Sequence, residues 1–235
     1  MDILRLVHLD HPHLGAAAAE AFQEEVQVGA GKNLTKVEIE SIQQTISKAE
    51  KKTSGEIVVA IMKSSHDYFH AQLIGATIIS FSGNLISPFI MVPYSYILCP
   101  IIAWIMGYLL FGLNPVKQLL ISKENITTEV KQRAFQLFFE NGINLTKDQT
   151  GILIYVSLFE RKIEVIADAG INQKVPQSFW DDGVNLIKSG IQNNDLINGI
   201  NQAIDHFSIK LEEEFPIRPD DTNEISNLVI TDMIN

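Results

Sequence analysis

The stretch GILIYVSLFERKIEVIA, residues 151–167, decides how the chain is built. Its first seven residues, Gly151–Ser157, read as a strand. Leu158, Phe159, Glu160 and Arg161 interrupt it and Lys162–Ala167 resumes it, so the pattern predicts a β-hairpin. Upstream, residues 126–141 place Val130, Ala134, Leu137 and Phe138 on one helical face, with Gly142 as terminator. Before that, EIVVAIM (56–62) reads as a strand buried on both faces. A helix over 35–51 precedes it, started by the Thr35/Glu38 capping box, with Ile39, Ile42, Ile46 and Ala49 on its inner face and Ser54-Gly55 closing it. Downstream, helices are predicted over about 177–189 and about 195–213, ending at Gly190 and Pro216. A helix between the 56–62 and 151–157 strands makes those strands parallel, and the chain is α/β, a small mixed sheet with helices on both faces.

That crossover is interrupted. Of 235 residues, 46% are hydrophobic and 20% charged, with one cysteine and a net charge of −10, which excludes a disulfide scaffold and a basic nucleic-acid binder. From Tyr68 to Val116, however, no Asp, Glu, Lys or Arg occurs, whereas residues 1–67 carry 7 Lys/Arg and 10 Asp/Glu and residues 117–235 carry 11 and 18. One bilayer crossing takes about 20 apolar residues, so the uncharged run has room for two. The crossings are read as Ala71 to about Val92 and about Tyr94 to Leu113, turning among Pro88, Pro93, Tyr94 and Ser95, with Pro100 delaying or kinking the second. Small residues recur at spacing four, Ala76/Ser80 and Gly83/Ser87 on the first segment and Cys99/Ala103/Gly107 on the second, and are expected to face each other with Ile, Leu, Phe and Trp104 toward lipid. The other reading of the run is a hydrophobic hairpin buried within a soluble fold. Lys51, Lys52 and Lys63 before the run and Lys117 and Lys123 after it put both flanks in the cytoplasm, on the inner face of the plasma membrane. Asp2, Arg5, Asp10 and Pro12 break up any cleavable signal, so the first crossing would itself be the targeting segment.

TSGEIVVAI (53–61), TGILIYVSLFERKIEVIADAGI (150–171), the Trp180 region and EEFPIRPDDTNEIS (213–226) together resemble the TPM domain family, the last in the manner of its bacterial membrane-bound branch. The residues that carry the resemblance are Gly55, Glu56, Thr150, Gly151, Asp168, Gly170 and Trp180, and it covers about residues 35–230. It implies a three-layer α/β/α domain. For function it implies either acid phosphatase activity or a role in the assembly, repair or modulation of other membrane proteins. Gln149-Thr150 stands where the family often has Arg-Asn, and Ala169 where it often has Arg; both departures remove cations that would hold a phosphate.

Candidate chemistry centres on Asp168 at the end of the 162–167 strand, the position where α/β sheets expose loop residues to ligands. With Asp148, Asp181 or Asp182 it would offer oxygen ligands to Ca²⁺ or Mg²⁺; alone it would cap a turn or the following helix. Asp220, Asp221, Asn223 and Glu224 lack EF-hand spacing, and Asp221 is better read as the cap of a short helix near Asn223. His8, Asp10, His11 and His13 could ligate a transition metal but read as a solvated terminal segment. GAGKN (29–33) lacks the first glycine and the Ser/Thr of a phosphate loop. Residues 1–34, with a helix over Leu14–Val26, form an extension and residues 217–235 an acidic tail, flanking a domain split into 35–67 and 117–216 around the 68–116 hairpin. Cys99, within the apolar run, is poorly placed as a nucleophile. The function expected is a membrane-anchored, noncatalytic interaction or assembly factor whose partners are the bilayer and another membrane protein. The alternative is a weak metal-dependent acid phosphatase using Ca²⁺ or Mg²⁺.

Overall fold

A computed structural model describes residues 33–90, 94–118, 120–218, 223–225, 227 and 229–233. The predicted Leu14–Val26 helix, the histidines of the first 13 residues, most of GAGKN, Pro93, Asp220 and Asp221 lie outside the described residues. The chain forms two compact units, one running to Ser65 and resuming at Val130, the other His66–Glu129.

The first unit opens with α1 (Lys36–Glu50), capped as its sequence dictates: the Glu38 N–H donates to the Thr35 hydroxyl at 3.3 Å, and Glu38 accepts the Thr35 N–H at 2.8 Å. Strand β1 (Glu56–Met62) follows, and after the second unit come β2 (Gly151–Ser157) and β3 (Lys162–Ala167) with the bounds that β-branched patterning predicts. β1 and β2 are parallel, in register from Glu56↔Gly151 to Met62↔Ser157, and β3 is antiparallel to β2. A fourth strand, β4 (Val229–Thr231), pairs parallel with the other side of β1, giving the order β3-β2-β1-β4. It corrects the reading of 217–235 as a tail: a run of only three β-branched residues is too short to stand out as a strand, and β1 supplies their hydrogen-bonding partner.

One face of the sheet, carrying Ile57, Val59, Ile61, Ile152, Ile154 and Val156, packs in a single core with α1, α7 (Gln177–Gln192) and α8 (Leu196–Glu214). Burying each such side chain contributes about 1.5–3 kcal/mol. The opposite face, with Val58, Ala60, Leu153 and Tyr155, is equally closed to solvent. Ile143 stands on that side against Gly151, and the chain between them descends from α5 (Lys123–Glu140), whose Val130, Ala134, Leu137 and Phe138 are buried.

α7 runs three residues past its predicted end at about 189, passing through Gly190 to Gln192. Gly190 is there for contact rather than termination: a Cβ at that position would lie 2.6 Å from the Gly199 Cα and 2.8 Å from the Asp195 carbonyl oxygen, so the missing side chain lets α7 and α8 touch backbone to backbone.

The second unit is a helical hairpin. α2 (Phe69–Ile86) passes through a 3₁₀ turn (Ser87–Phe89), and α3 (Ser95–Phe111) returns with Pro100 inside it, followed by the short α4 (Asn114–Gln118). α2 stops earlier than the Val92 expected because Pro88 supplies no N–H for another α turn. The hairpin is inverted relative to a water-soluble one: Gly75, Ala76, Gly83, Ser87, Ser95 and Gly107 are buried, while Ile78, Phe81, Leu85, Ile101, Met106 and Leu109 are exposed. Among the described residues no helix is long and apolar enough to cross a membrane; α2, with 18 residues, carries His70, Gln72 and Asn84, and the more apolar α3 has 17.

Gly190→Ala should destabilise the first unit by about 1–3 kcal/mol, the cost of overpacking a tight contact, despite alanine's better helix propensity. Chemical unfolding checks this, and a neutral or stabilising effect would refute the close helix approach.

Candidate functional site

β1 and β2 both start at one edge of the sheet, and β3, running the other way, ends there. Asp168 therefore lies at the amino edge, opposite the carboxyl ends where open α/β sheets bind ligands. This corrects the placement inferred from sequence, which read a strand end without knowing the strand's direction. Asp168 is buried; one carboxylate oxygen accepts the Ala169 N–H at 2.7 Å, capping the single turn α6 (Ala169–Asn172). Its backbone N–H donates to the Gly151 carbonyl at 2.9 Å. Burial pushes the carboxyl above the usual aspartate range, the Ala169 hydrogen bond opposing it, and Oδ2 has no hydrogen-bond partner among the described residues.

The turn is locked against the loop before β2. A Cβ on Gly170 would stand 2.6 Å from the Gln149 carbonyl oxygen and 2.7 Å from that of Asp148, so only glycine fits. The Asp148 side chain pairs with Arg218, Asp181 accepts from Gln177 at 3.2 Å, and Asp182 is exposed on α7. Among the described residues no group of three or more His, Cys, Asp or Glu side chains is gathered to hold a metal ion, so the four aspartates do not form a cage.

Other motif residues act as stitching. The Thr150 hydroxyl donates to the Ser54 carbonyl at 2.8 Å and the Glu56 N–H to the Thr150 carbonyl at 3.1 Å, which sets the start of the β1–β2 register beside Gly55. Glu56 accepts the Glu224 N–H at 3.0 Å, and Glu224 accepts the Lys147 N–H at 2.8 Å. These carboxylates tie the C-terminal segment to the amino edge, and Asn223 to Ile225 form no helix. Glu50, at the end of α1, accepts the Ile57 N–H at 3.2 Å and is pushed up to about 8 by burial, the hydrogen bond lowering it and the neighbouring Glu56 charge raising it further. Trp180 is buried in an aromatic cluster, 5.6 Å from the Phe179 ring and 5.3 Å from that of Phe207.

The carboxyl edge holds a cluster absent from the sequence reading. Glu160, in the β2–β3 connection, is buried and accepts hydrogen bonds from the Ser65 N–H at 2.8 Å, the Ser64 hydroxyl at 3.1 Å and the Ser157 hydroxyl. Ser65 and Tyr155 share a hydroxyl hydrogen bond of 2.8 Å, and burial pushes the Tyr155 phenol up. Glu160 thus anchors the residues at which the chain leaves the sheet for the second unit. A glutamate inside a four-residue connection between two buried strands is the signal that would have flagged it.

The TPM domain family matches residues 118–208. The TPM segment holds Thr150, Gly151, Glu160, Asp168, Gly170 and Trp180, while Gly55 and Glu56 precede it. Among solved structures, the BA42 protein of the psychrophilic bacterium Bizionia argentinensis, determined by NMR, is similar with a TM-score of 0.56 and 24% identity, over 86% of this chain and 97% of that one. That likeness shows a shared fold. No curated protein matches the chain.

Because Glu50 binds its proton more tightly folded than unfolded, its contribution to stability is complete below pH 4.5, declines as pH rises and is gone by about pH 8. Glu50→Gln should flatten that decline, measured as unfolding free energy against pH; parallel wild-type and variant curves would contradict it. Glu160→Ala should cost about 1–3 kcal/mol through the donors it orphans, and a change under about 0.5 kcal/mol, the range of ordinary surface substitutions, would remove its anchoring role.

Proposed function

We propose that the α2–α3 hairpin lies in the plasma membrane and holds the TPM-like domain at the cytoplasmic face, where the domain acts as a noncatalytic interaction or assembly factor for another membrane protein. The observation that carries the reading is the inverted packing of the hairpin, with glycine, alanine and serine between the helices and large apolar side chains outside. Such a surface is unfavourable in water and matched to lipid. Close backbone approach does the packing: a Cβ on Gly83 would lie 2.9 Å from the Ala103 Cβ and 3.0 Å from the Cys99 carbonyl oxygen, and one on Gly107 3.0 Å from the Ala76 Cα.

Polar groups in the hairpin are handled as lipid requires. Ser80 donates to the Pro100 carbonyl at 3.0 Å, Thr77 to the Leu73 carbonyl at 2.8 Å and Gln72 to the Tyr108 carbonyl at 2.9 Å. The 18 residues of α2 span about 27 Å against a hydrocarbon core of about 30 Å. A mismatch of that size is taken up by local thinning and by interfacial aromatics such as Tyr94 and Tyr96 at the turn. Lysines on both flanks and none among the uncharged residues favour cytoplasmic flanks.

The noncatalytic reading draws support from how the aspartates are engaged, Asp148 with Arg218, Asp181 with Gln177 and Asp168 with a backbone N–H. A second reading, hydrolysis of phosphomonoesters, is favoured by the name of the matched family, TPM phosphatase, and by Oδ2 of buried Asp168, which has no hydrogen-bond partner among the described residues. Ca²⁺ or Mg²⁺ would then have to bring its own water to that carboxyl.

The chain should stay with membranes after alkaline carbonate washing, and Gly83→Leu should weaken that retention by separating the helices; release of the wild type would refute the anchor. Asp168→Asn should leave aryl phosphate turnover, with or without Ca²⁺ or Mg²⁺, at the level of the wild type. Turnover lost in that variant would establish the second reading instead.

A further inference from the structure

At the carboxyl edge of the sheet the Phe159 N–H donates to the Lys63 carbonyl at 2.9 Å and the Leu158 N–H to the Met62 carbonyl at 3.0 Å, so Lys63 and the β2–β3 connection lie side by side. Arg161, with φ of +54°, ends that connection and Lys162 opens β3. Lys188 lies on α7, which packs against the strand that Lys162 opens, and after burial the Lys162 charge is what lowers its ammonium, with Asp181 opposing.

None of these four cations has a carboxylate within ion-pair distance among the described residues, whereas at other places in the same unit Lys52 meets Glu212, Arg218 meets Asp148, and Lys210 meets Glu213 and Glu214. The acids of this edge are engaged otherwise. Glu160 is buried under three donors, Glu164 is buried on β3, and Asp232 accepts the Lys63 N–H at 2.8 Å. The edge is also where the chain departs, α2 beginning four residues after Ser65.

We propose that Lys63, Arg161, Lys162 and Lys188 form a basic rim that binds the phosphate groups of anionic lipids in the bilayer entered by the hairpin. The inference rests on the membrane reading above. A chain of net charge −10 has no overall attraction to an anionic surface, and screening confines electrostatic contact to a Debye length of about 8–10 Å, so attraction has to come from a local group of cations close to the entry point. The four are contributed by β1's exit, the β2–β3 connection, the start of β3 and α7, an extended rim suited to a layer of headgroups rather than to one small ion.

The test is native mass spectrometry of the full-length protein in detergent, offered phosphatidylglycerol and phosphatidylcholine in equal amounts. The wild type should retain phosphatidylglycerol preferentially. Each removed cation should lower that retention roughly fivefold, and Lys162→Glu more, with phosphatidylcholine retention and the unfolding midpoint unchanged. Arg161→Gln serves as a second variant should Lys162→Glu unfold. Equal phosphatidylglycerol retention by wild type and folded variants overturns the rim, and so does its displacement by excess inorganic phosphate, which would mark a free-phosphate site. Release of the wild type by carbonate washing would overturn the membrane reading instead, and that result is independent of lipid retention in detergent.

Discussion

The parallel pairing of β1 with β2 constrains everything else. Seven residue pairs, from Glu56↔Gly151 to Met62↔Ser157, join segments that the helical hairpin separates in sequence. Two strands hydrogen-bonded along their whole length occupy one aqueous compartment, so whatever lies between them has to leave and come back. A hairpin satisfies that condition and a single crossing does not, which links the fold of the first unit to the topology proposed for the second.

Carboxylates hold this arrangement at both edges, Glu56, Asp168 and Glu160 from buried positions and Glu224 from an exposed one. Glu56 and Glu224 fasten the C-terminal segment beside the start of β1, Asp168 caps the turn after β3, and Glu160 secures Ser64 and Ser65 where the chain leaves the sheet. Each accepts backbone N–H groups, which an ionised or protonated carboxyl oxygen does equally well in geometry but not in energy once buried. Motif residues that could be read as chemistry are here engaged in architecture. At the carboxyl edge Lys63, Arg161, Lys162 and Lys188 have no carboxylate within ion-pair distance among the described residues, unlike Lys52, Lys210 and Arg218 elsewhere in the unit.

Much of this was legible in the sequence, and the exceptions have physical causes. β1, β2 and β3 are strands buried nearly throughout, so their apolar runs coincide with their bounds, and the Thr35/Glu38 box is a local device that carries its own signature. Gly190 misled because glycine ends helices for conformational reasons and interrupts them for contact reasons, and only the Gly199 backbone opposite tells the two apart. β4 could not be seen because three residues become a strand only through β1. Asp168 was found as a strand-end residue but assigned to the wrong edge, since strand direction is a property of the pairing. Glu160 showed only as a glutamate between two buried strands; its role as a hub was hidden because the Ser64 and Ser65 donors lie some 95 residues away in the chain.

The most direct measurement is the accessibility of single cysteines to a membrane-impermeant thiol reagent in intact cells, with Cys99 replaced by alanine. Lys51→Cys and Glu129→Cys should both be protected until the membrane is permeabilised, while Tyr94→Cys at the hairpin turn should react from outside. Reaction of only one of the two flanks in intact cells would place the two halves of the sheet on opposite faces and contradict the account.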